Sequence, residues 1–311
     1  MSTQTDSAVP SGQFTDWACR CWGNPESASL PLTLQGRSCS LDMRRPIIMG
    51  ILNVTPDSFF SGSRAGSVEH AMDRARRMLE EGADIIDIGG ESTRPGANLV
   101  GEQEELDRVV PVIEALAGEL PCPLSIDTNK SVVARAAVAA GAEFVNDISG
   151  FTFDSAMADT VAACGAGAFL MHTRGKPASM QDDTVYQDLL TEIVGYLQTA
   201  VNLAESAGIP RCKLAVDPGI GFGKDLLGNL EILCRLRELH ALGLPLLLGT
   251  SRKGFVGQIV GQSDPAERLS GTLATVALGV ACGAQIFRVH DVRPAREAAL
   301  MAWAVVHRQR P

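Results

Sequence analysis

One pattern constrains this chain more than any other. Eight times in succession a short apolar run leads into a polar or glycine-rich loop, then into a longer stretch whose apolar residues recur about every 3.6 positions. The runs are IIMGILNV (47–54), DIIDIGG (84–90), PLSID (123–127), EFVND (143–147), AFLMH (168–172), KLAVD (213–217), PLLLGT (245–250) and QIFRVH (285–290). Between them lie helix-like segments such as SVEHAMDRARRMLEEGA (67–83), GEQEELDRVVPVIEALA (101–117), SVVARAAVAAGA (131–142) and TVYQDLLTEIVGYLQTAVNLAESAG (184–208). Parallel strands buried on both faces read as uninterrupted apolar runs. The expectation is an α/β fold with an all-parallel sheet wrapped in helices. Eight units favour closure into a (β/α)8 TIM barrel over an open sheet.

Upstream of the repeat, residues 30–45 (LPLTLQGRSCSLDMRR) alternate around Gly36 like a short β-hairpin, an N-terminal extension suited to closing the bottom of the barrel. Residues 1–28 mix Ser, Thr, Pro and Gly with two Trp and little periodicity, and are expected to be a flexible extension. Residues 29–311 are then the barrel domain. With 45% hydrophobic residues in 311, the chain has apolar mass for one large core.

Charge narrows the choice of partners. The chain carries 27 Lys and Arg against 36 Asp and Glu, a net charge of −9, with no basic stripe, so nucleic acid and anionic membranes are excluded as partners. Its longest apolar stretches, such as Leu273 to Val280, fall far short of the roughly 20 residues a bilayer span requires. The opening MSTQTDSAVPSGQF has neither a basic nor an apolar signal region. None of the eight cysteines forms a CxxC pair, and they read as reduced, small core residues. The expected location is cytoplasmic.

The apolar runs share one further property: nearly all end in polar residues. These are Asn53, Asp87 with Glu91, Asp127, Asn146 with Asp147, His172, Asp217, Ser251 with Lys253, and Arg288 with His290. In a (β/α)8 barrel every C-terminal strand end faces one mouth, so these tips are expected to converge there. Asp127, Asn146, Asp147 and Asp217 supply carboxylates and amides suited to the N–H groups of a heterocycle. GTSRKGFVG (249–257) and RVHDV (288–292) bring Ser251, Arg252, Lys253, Arg288 and His290 to strands seven and eight, where such barrels often bind phosphate. GGESTRPG (89–96) reads as an anion-contacting loop built on glycines and Arg94. DPGIGFGK (217–224) matches neither the phosphate-loop nor the dinucleotide spacing, so its glycines do not signal a nucleotide.

Taken in order, MGILNVTPDSF, ADIIDIGGESTRPG, SIDTNK, FVNDISG, LMH, DPGIGFGK, GTSRKGF and RVHDV closely resemble the dihydropteroate synthase family from about Pro46 onward. The resemblance implies a cytoplasmic transferase of folate biosynthesis, a homodimer that uses Mg2+. It would join 6-hydroxymethyl-7,8-dihydropterin diphosphate to p-aminobenzoate and release pyrophosphate. It further implies that Asp127, Asn146, Asp217 and Lys253 hold the pterin, with Met171 and Phe222 packing near the ring. Asn53, Arg288 and His290 would bind the diphosphate, Asn53 beside the Mg2+, while Thr93, Arg94, Pro95 and Ser251 would help to form the p-aminobenzoate site. The implied chemistry is dissociative, with Asp127, Lys253, Arg288 and His290 as its catalytic groups, so no nucleophilic Ser or Cys is required. The first loop departs from many members: DSFFSGS stands where DSFSDGG is common, which puts Ser61 in place of an acid and adds Phe60. A methyltetrahydrofolate:corrinoid methyltransferase-like barrel would share the Asp and Asn pocket but has no use for a diphosphate clamp. A non-catalytic pterin-binding paralogue would not need every implied pterin and diphosphate residue, all of which this chain has.

Overall fold

The structure is a computed structural model that describes residues 32–54, 64–92 and 99–310. The expected extension over residues 1–28, the first-loop residues Phe60 and Ser61, and Thr93, Arg94 and Pro95 lie outside the described residues.

Each of the eight apolar runs forms a strand. They are β3 (Ile47–Asn53), β4 (Ile85–Gly89), β5 (Leu124–Asp127), β6 (Phe144–Asp147), β7 (Gly167–Met171), β8 (Leu214–Asp217), β9 (Leu247–Leu248) and β10 (Ile286–Val289). All neighbours are parallel, in the order β8-β7-β6-β5-β4-β3-β10-β9. The ring closes through a parallel bridge between Val216 and Leu246, where Val216 N–H donates to Pro245 O at 2.9 Å. Around it run α1 (Arg64–Glu80), α2 (Glu102–Ala117), α3 (Ser131–Ala140), α4 (Met157–Cys164), α5 (Leu189–Ser206), α6 (Leu226–Cys234), α7 (Gly254–Val260), α8 (Leu269–Ala281) and α9 (Val292–His307).

Strand side chains alternate between two apolar layers. Ile48, Leu52, Ile86, Ile88, Val145, Leu170 and Phe287 face outward and join the helices' buried faces in one core. Ile47, Met49, Ile85, Phe144, Phe169, Ala215, Leu247 and Ile286 face inward and form a second cluster at the base. Burial on both faces is what makes the strand sequences continuously apolar.

The hairpin completes that base. β1 (Thr33–Gln35) and β2 (Ser40–Asp42) pair antiparallel with Leu34 opposite Leu41, and Leu34, Leu41 and Met43 enter the inward cluster. The approach is close: a Cβ on Gly167 would lie 2.6 Å from Gln35 O. Glu143, ahead of β6, accepts from Ser38 N at 2.6 Å and Ser38 Oγ at 2.5 Å, fixing the hairpin turn to the barrel.

One helix is shorter than its periodicity predicts. The stretch expected to be helical from Thr184 becomes helix only at Leu189, because Asp188 turns its side chain back to accept from Thr191 N at 3.2 Å and caps the helix there. Tyr186 is thereby freed to donate its hydroxyl to Gly223 O at 2.8 Å. The six described cysteines are free thiols, and among the described residues no helix is long and apolar enough to cross a membrane.

If the hairpin is part of the core, Leu34→Ala should destabilise the protein by about 3 kcal/mol, as for other fully buried leucines. Urea unfolding checks this, and a midpoint unchanged from wild type would mean that the hairpin adds nothing to the barrel.

Candidate active site

At the C-terminal end of the ring the inward positions turn from apolar to polar. Asn53, Gly89, Asp127 and Asn146 are successive cross-strand partners along β3 to β6, and Met171 pairs with Asp217 across β7 and β8. These strand ends surround a cavity that is open to solvent and lined by Asp127, Asn146, Met171, Asp217, Phe222, Ser251, Lys253, Arg288 and His290. Ile51, Ile148, Ile220 and Gly249 complete the lining. Asn53 stands at the rim. A Cβ on Gly89 would lie 3.8 Å from Asn53 Oδ1 and 3.7 Å from Asp127 Oδ2, so the two oxygens flank one point of backbone.

The floor is ionic. Arg288 donates from Nε to Asp87 Oδ2 and from Nη2 to Asp127 Oδ2, both at 2.6 Å, and Asn146 Nδ2 donates to Asp87 Oδ2 at 3.1 Å. Asp87 is fully buried. Burial pushes the Asp127 carboxyl up to about 7, Arg288 opposing and the charge of Asp87 reinforcing the shift. Burial works against the Arg288 charge as well, but Asp87 and Asp127 outweigh it and hold the guanidinium above its usual range.

The opposite wall combines a cation with an aromatic ring. Lys253 Nζ lies 4.2 Å from the centroid of Phe222, and burial lowers its pKa to about 8 against the pull of Asp217. Asp217 accepts from Gly219 N at 2.7 Å through Oδ1, and burial raises its pKa. At the rim Ser251 Oγ accepts from His290 N at 3.2 Å and lies 3.0 Å from His290 Nδ1. The tautomer of His290 decides which of Ser251 Oγ and Nδ1 donates in that pair.

Several strand tips do not reach this mouth. Adjacent residues of a strand face opposite sides, so Asp147 points outward when Asn146 points inward. Asp147 accepts from Ser149 N at 2.7 Å and Phe151 N at 3.0 Å and shapes the turn after β6. His172 turns away for the same reason, and Met171 represents β7 in the cavity. Arg252, one residue from Lys253, is held by Asp291 at 2.6 Å and is not among the lining residues. Glu91 is bound at 2.5 Å by Lys130, which also reaches Glu105 at 2.5 Å.

Asp87 enters the floor from inside β4, and a search of strand ends undervalues it. The available signal was a charged residue two positions inside an apolar strand, which is tolerated only when paired. The isoleucines carry no such signal.

Comparison with known proteins adds four findings. The family described as pterin binding enzymes matches residues 49–290. The dihydropteroate synthase of Synechocystis sp. is 49% identical over 249 residues, covering 80% of this chain and 86% of that protein. Among solved structures, the Yersinia pestis dihydropteroate synthase in complex with a sulfonamide drug superimposes with a TM-score of 0.83 at 46% identity, over 88% of this chain and 98% of that one. The Xanthomonas albilineans enzyme in complex with 7,8-dihydropteroate gives 0.78 at 38% identity, over 89% and 99%.

Removing the floor's cation isolates two buried carboxylates. Arg288→Ala should therefore cost about 3 kcal/mol of stability near pH 8, above the value of about 7 to which Asp127 is raised. Without the guanidinium the Asp127 carboxyl titrates higher still, so the deficit should shrink as pH falls toward 5 and that group takes up a proton. Urea unfolding at the two pH values checks this, and an equal deficit at both would contradict it.

Proposed function

The chain belongs to the pterin binding enzymes as a dihydropteroate synthase, a transferase of folate biosynthesis, and from that premise we propose how its mouth divides the work of condensing 6-hydroxymethyl-7,8-dihydropterin diphosphate with p-aminobenzoate. Residues 29–311 are the catalytic unit in this reading. The observation that carries it is the gathering of Asp127, Asn146, Asp217 and Lys253 around one cavity beside an aromatic wall. A pterin is flat and offers donors and acceptors along one edge. Asp127, Asn146 and Asp217 take that edge, Lys253 donates to it, and Met171 and Phe222 pack near the ring.

Asn53, Arg288 and His290 receive the diphosphate. Arg288 turns Nε and Nη2 to the two carboxylates, which leaves Nη1 for a phosphate oxygen, while His290 brings its imidazole to the same rim. Departure of pyrophosphate is assisted by these donors, and the cation left on the exocyclic carbon is stabilised by the carboxylate of Asp127. The amine of p-aminobenzoate then attacks that carbon and loses its proton. Ser251 with Thr93, Arg94 and Pro95 forms the arylamine's subsite.

Mg2+ fits the donor set. Mg2+ commonly binds through one or two protein oxygens together with substrate phosphates, and Asn53 Oδ1 and Asp127 Oδ2 flank one point of backbone beside the cavity. Asn53 Oδ1 would be the protein ligand, and the ion would neutralise charge on the leaving pyrophosphate. In this reading the enzyme works in the cytoplasm, where thiols stay reduced. Leu278, Met301 and Val305, each more than half exposed on α8 and α9, support pairing of two copies.

Pyrophosphate release should require the pterin diphosphate, p-aminobenzoate and Mg2+ together. Lys253→Ala and Asp127→Ala should each lower turnover by at least about 100-fold while the circular dichroism spectrum stays that of the wild type. Full activity in either variant would remove that residue from the mechanism. Capture of a free pterin should weaken as pH rises through about 8, where Lys253 loses its proton. Fluorescence titration measures this, and affinity constant to pH 9.5 would exclude the ammonium as the donor.

A further inference from the structure

The chemistry above leaves one buried cation without a task. Lys224 ends the DPGIGFGK segment, is 3% exposed and does not line the cavity. Its Nζ nevertheless meets three acceptors in good geometry: His172 Nδ1 at 2.7 Å, Gly219 O at 2.8 Å and Phe222 O at 2.8 Å. Burial and the neighbouring ammonium hold His172 down to about 2, so its imidazole is neutral and its Nδ1 accepts. Burial also pulls Lys224 well below the usual lysine range. The charge of Asp217 favours the protonated form, against burial and the ammonium of Lys253.

Those acceptors belong to two segments with different partners. His172 follows β7 and packs edge-on against Tyr196, with ring centroids 4.8 Å apart. Gly219 and Phe222 lie in the loop after β8, whose Gly219, Gly221 and Gly223 all have positive φ. A Cβ on Gly219 would lie 1.8 Å from His172 O, so the loop is pressed directly onto the end of β7. A backbone of this kind has little conformational preference of its own and persists only where surrounding contacts fix it. Lys224 makes two of those contacts, one at the carbonyl of Phe222 itself. The ring of that residue carries Lys253 above it.

We propose that Lys224 is a positioning residue: by fastening the glycine loop to the end of β7 it sets the Phe222 ring beneath Lys253 and so tunes capture of the flat heterocycle, with little bearing on the arylamine. This rests on reading the cavity as the pterin site. No bond to Lys224 changes in the reaction.

The test is a double-mutant cycle in the pyrophosphate-release assay on the full chain with Mg2+, using wild type, Lys224→Met, Phe222→Ala and the double variant. Saturable turnover of wild type with pterin diphosphate comes first, and its absence would count against the catalytic reading, not against Lys224. Lys224→Met should raise KM for pterin diphosphate about tenfold, with KM for p-aminobenzoate within about twofold and kcat within about threefold. Once Phe222 is already Ala, the same change should raise the pterin KM by less than about twofold, because the two residues act through one wall. A purely structural lysine would lower the folded fraction and apparent kcat and leave the pterin KM in place. That result, or a full tenfold effect persisting in the Phe222→Ala background, overturns the proposal. If Lys224→Met is not recovered folded, Lys224→Gln, which keeps two N–H donors, enters the same cycle with an expected rise of about threefold. An unchanged pterin KM in that variant overturns the proposal equally.

Discussion

In a closed ring of parallel strands each residue has only two directions available, into the ring or out toward the helices, and the choice reverses at every step. The whole molecule is organised by this restriction. Outward positions are mostly apolar because helices cover them, with Asp147 and His172 as hydrogen-bonded exceptions, and inward positions in the base cluster are apolar because the hairpin seals them. The charged side chains that face inward do so toward the open end. Asp87, Asp127, Asn146, Asp217 and Arg288 all occupy inward positions within the upper part of their strands.

Crowding charges into that space has its own consequences. Two carboxylates share one guanidinium at the floor, and a third carboxylate faces Lys253 across the mouth. Such groups are costly to strip of water unless each finds an opposite charge or an N–H donor. The cost is met by mutual arrangement: Asn146 and Arg288 converge on a single oxygen of Asp87, and the loop after β8 turns Gly219 N–H onto Asp217. The site is thus ordered before any ligand arrives, which keeps donors and acceptors fixed while charge separates.

Much of this was legible from residues alone. Eight apolar runs of strand length, each followed by helical spacing, contain enough information to specify a parallel barrel, and the strands lie where the runs lie, to within one or two residues at their ends. The inward tips Asp127, Asn146 and Asp217 were equally visible. What could not be read was parity at the very ends. Asp147 and His172 look like site residues because they are polar and terminal, yet each is one step out of phase with an inward neighbour. Arg252 fails differently: it adopts a positive φ and turns its side chain to Asp291, a partner 39 residues away that no local pattern announces. Lys224 carried no signal of its own, because its three acceptors come together only after the chain has folded.

The hairpin that seals the base also carries a kinetic implication. β3 follows it directly, yet one of the two strands flanking β3 is β10, whose Ile286 pairs with Ile47, and Gln285 Nε2 reaches back to Met43 O across 242 residues. A ribosome therefore delivers the stopper and the first stave long before the last stave exists. During that interval one hydrogen-bonding edge of β3 has no mate. Loop closure over such a span is slow, and the exposed edge and apolar hairpin face are surfaces on which nascent chains associate wrongly. Expression at low temperature or with a holdase chaperone acts on this delay and leaves the finished mouth unaffected.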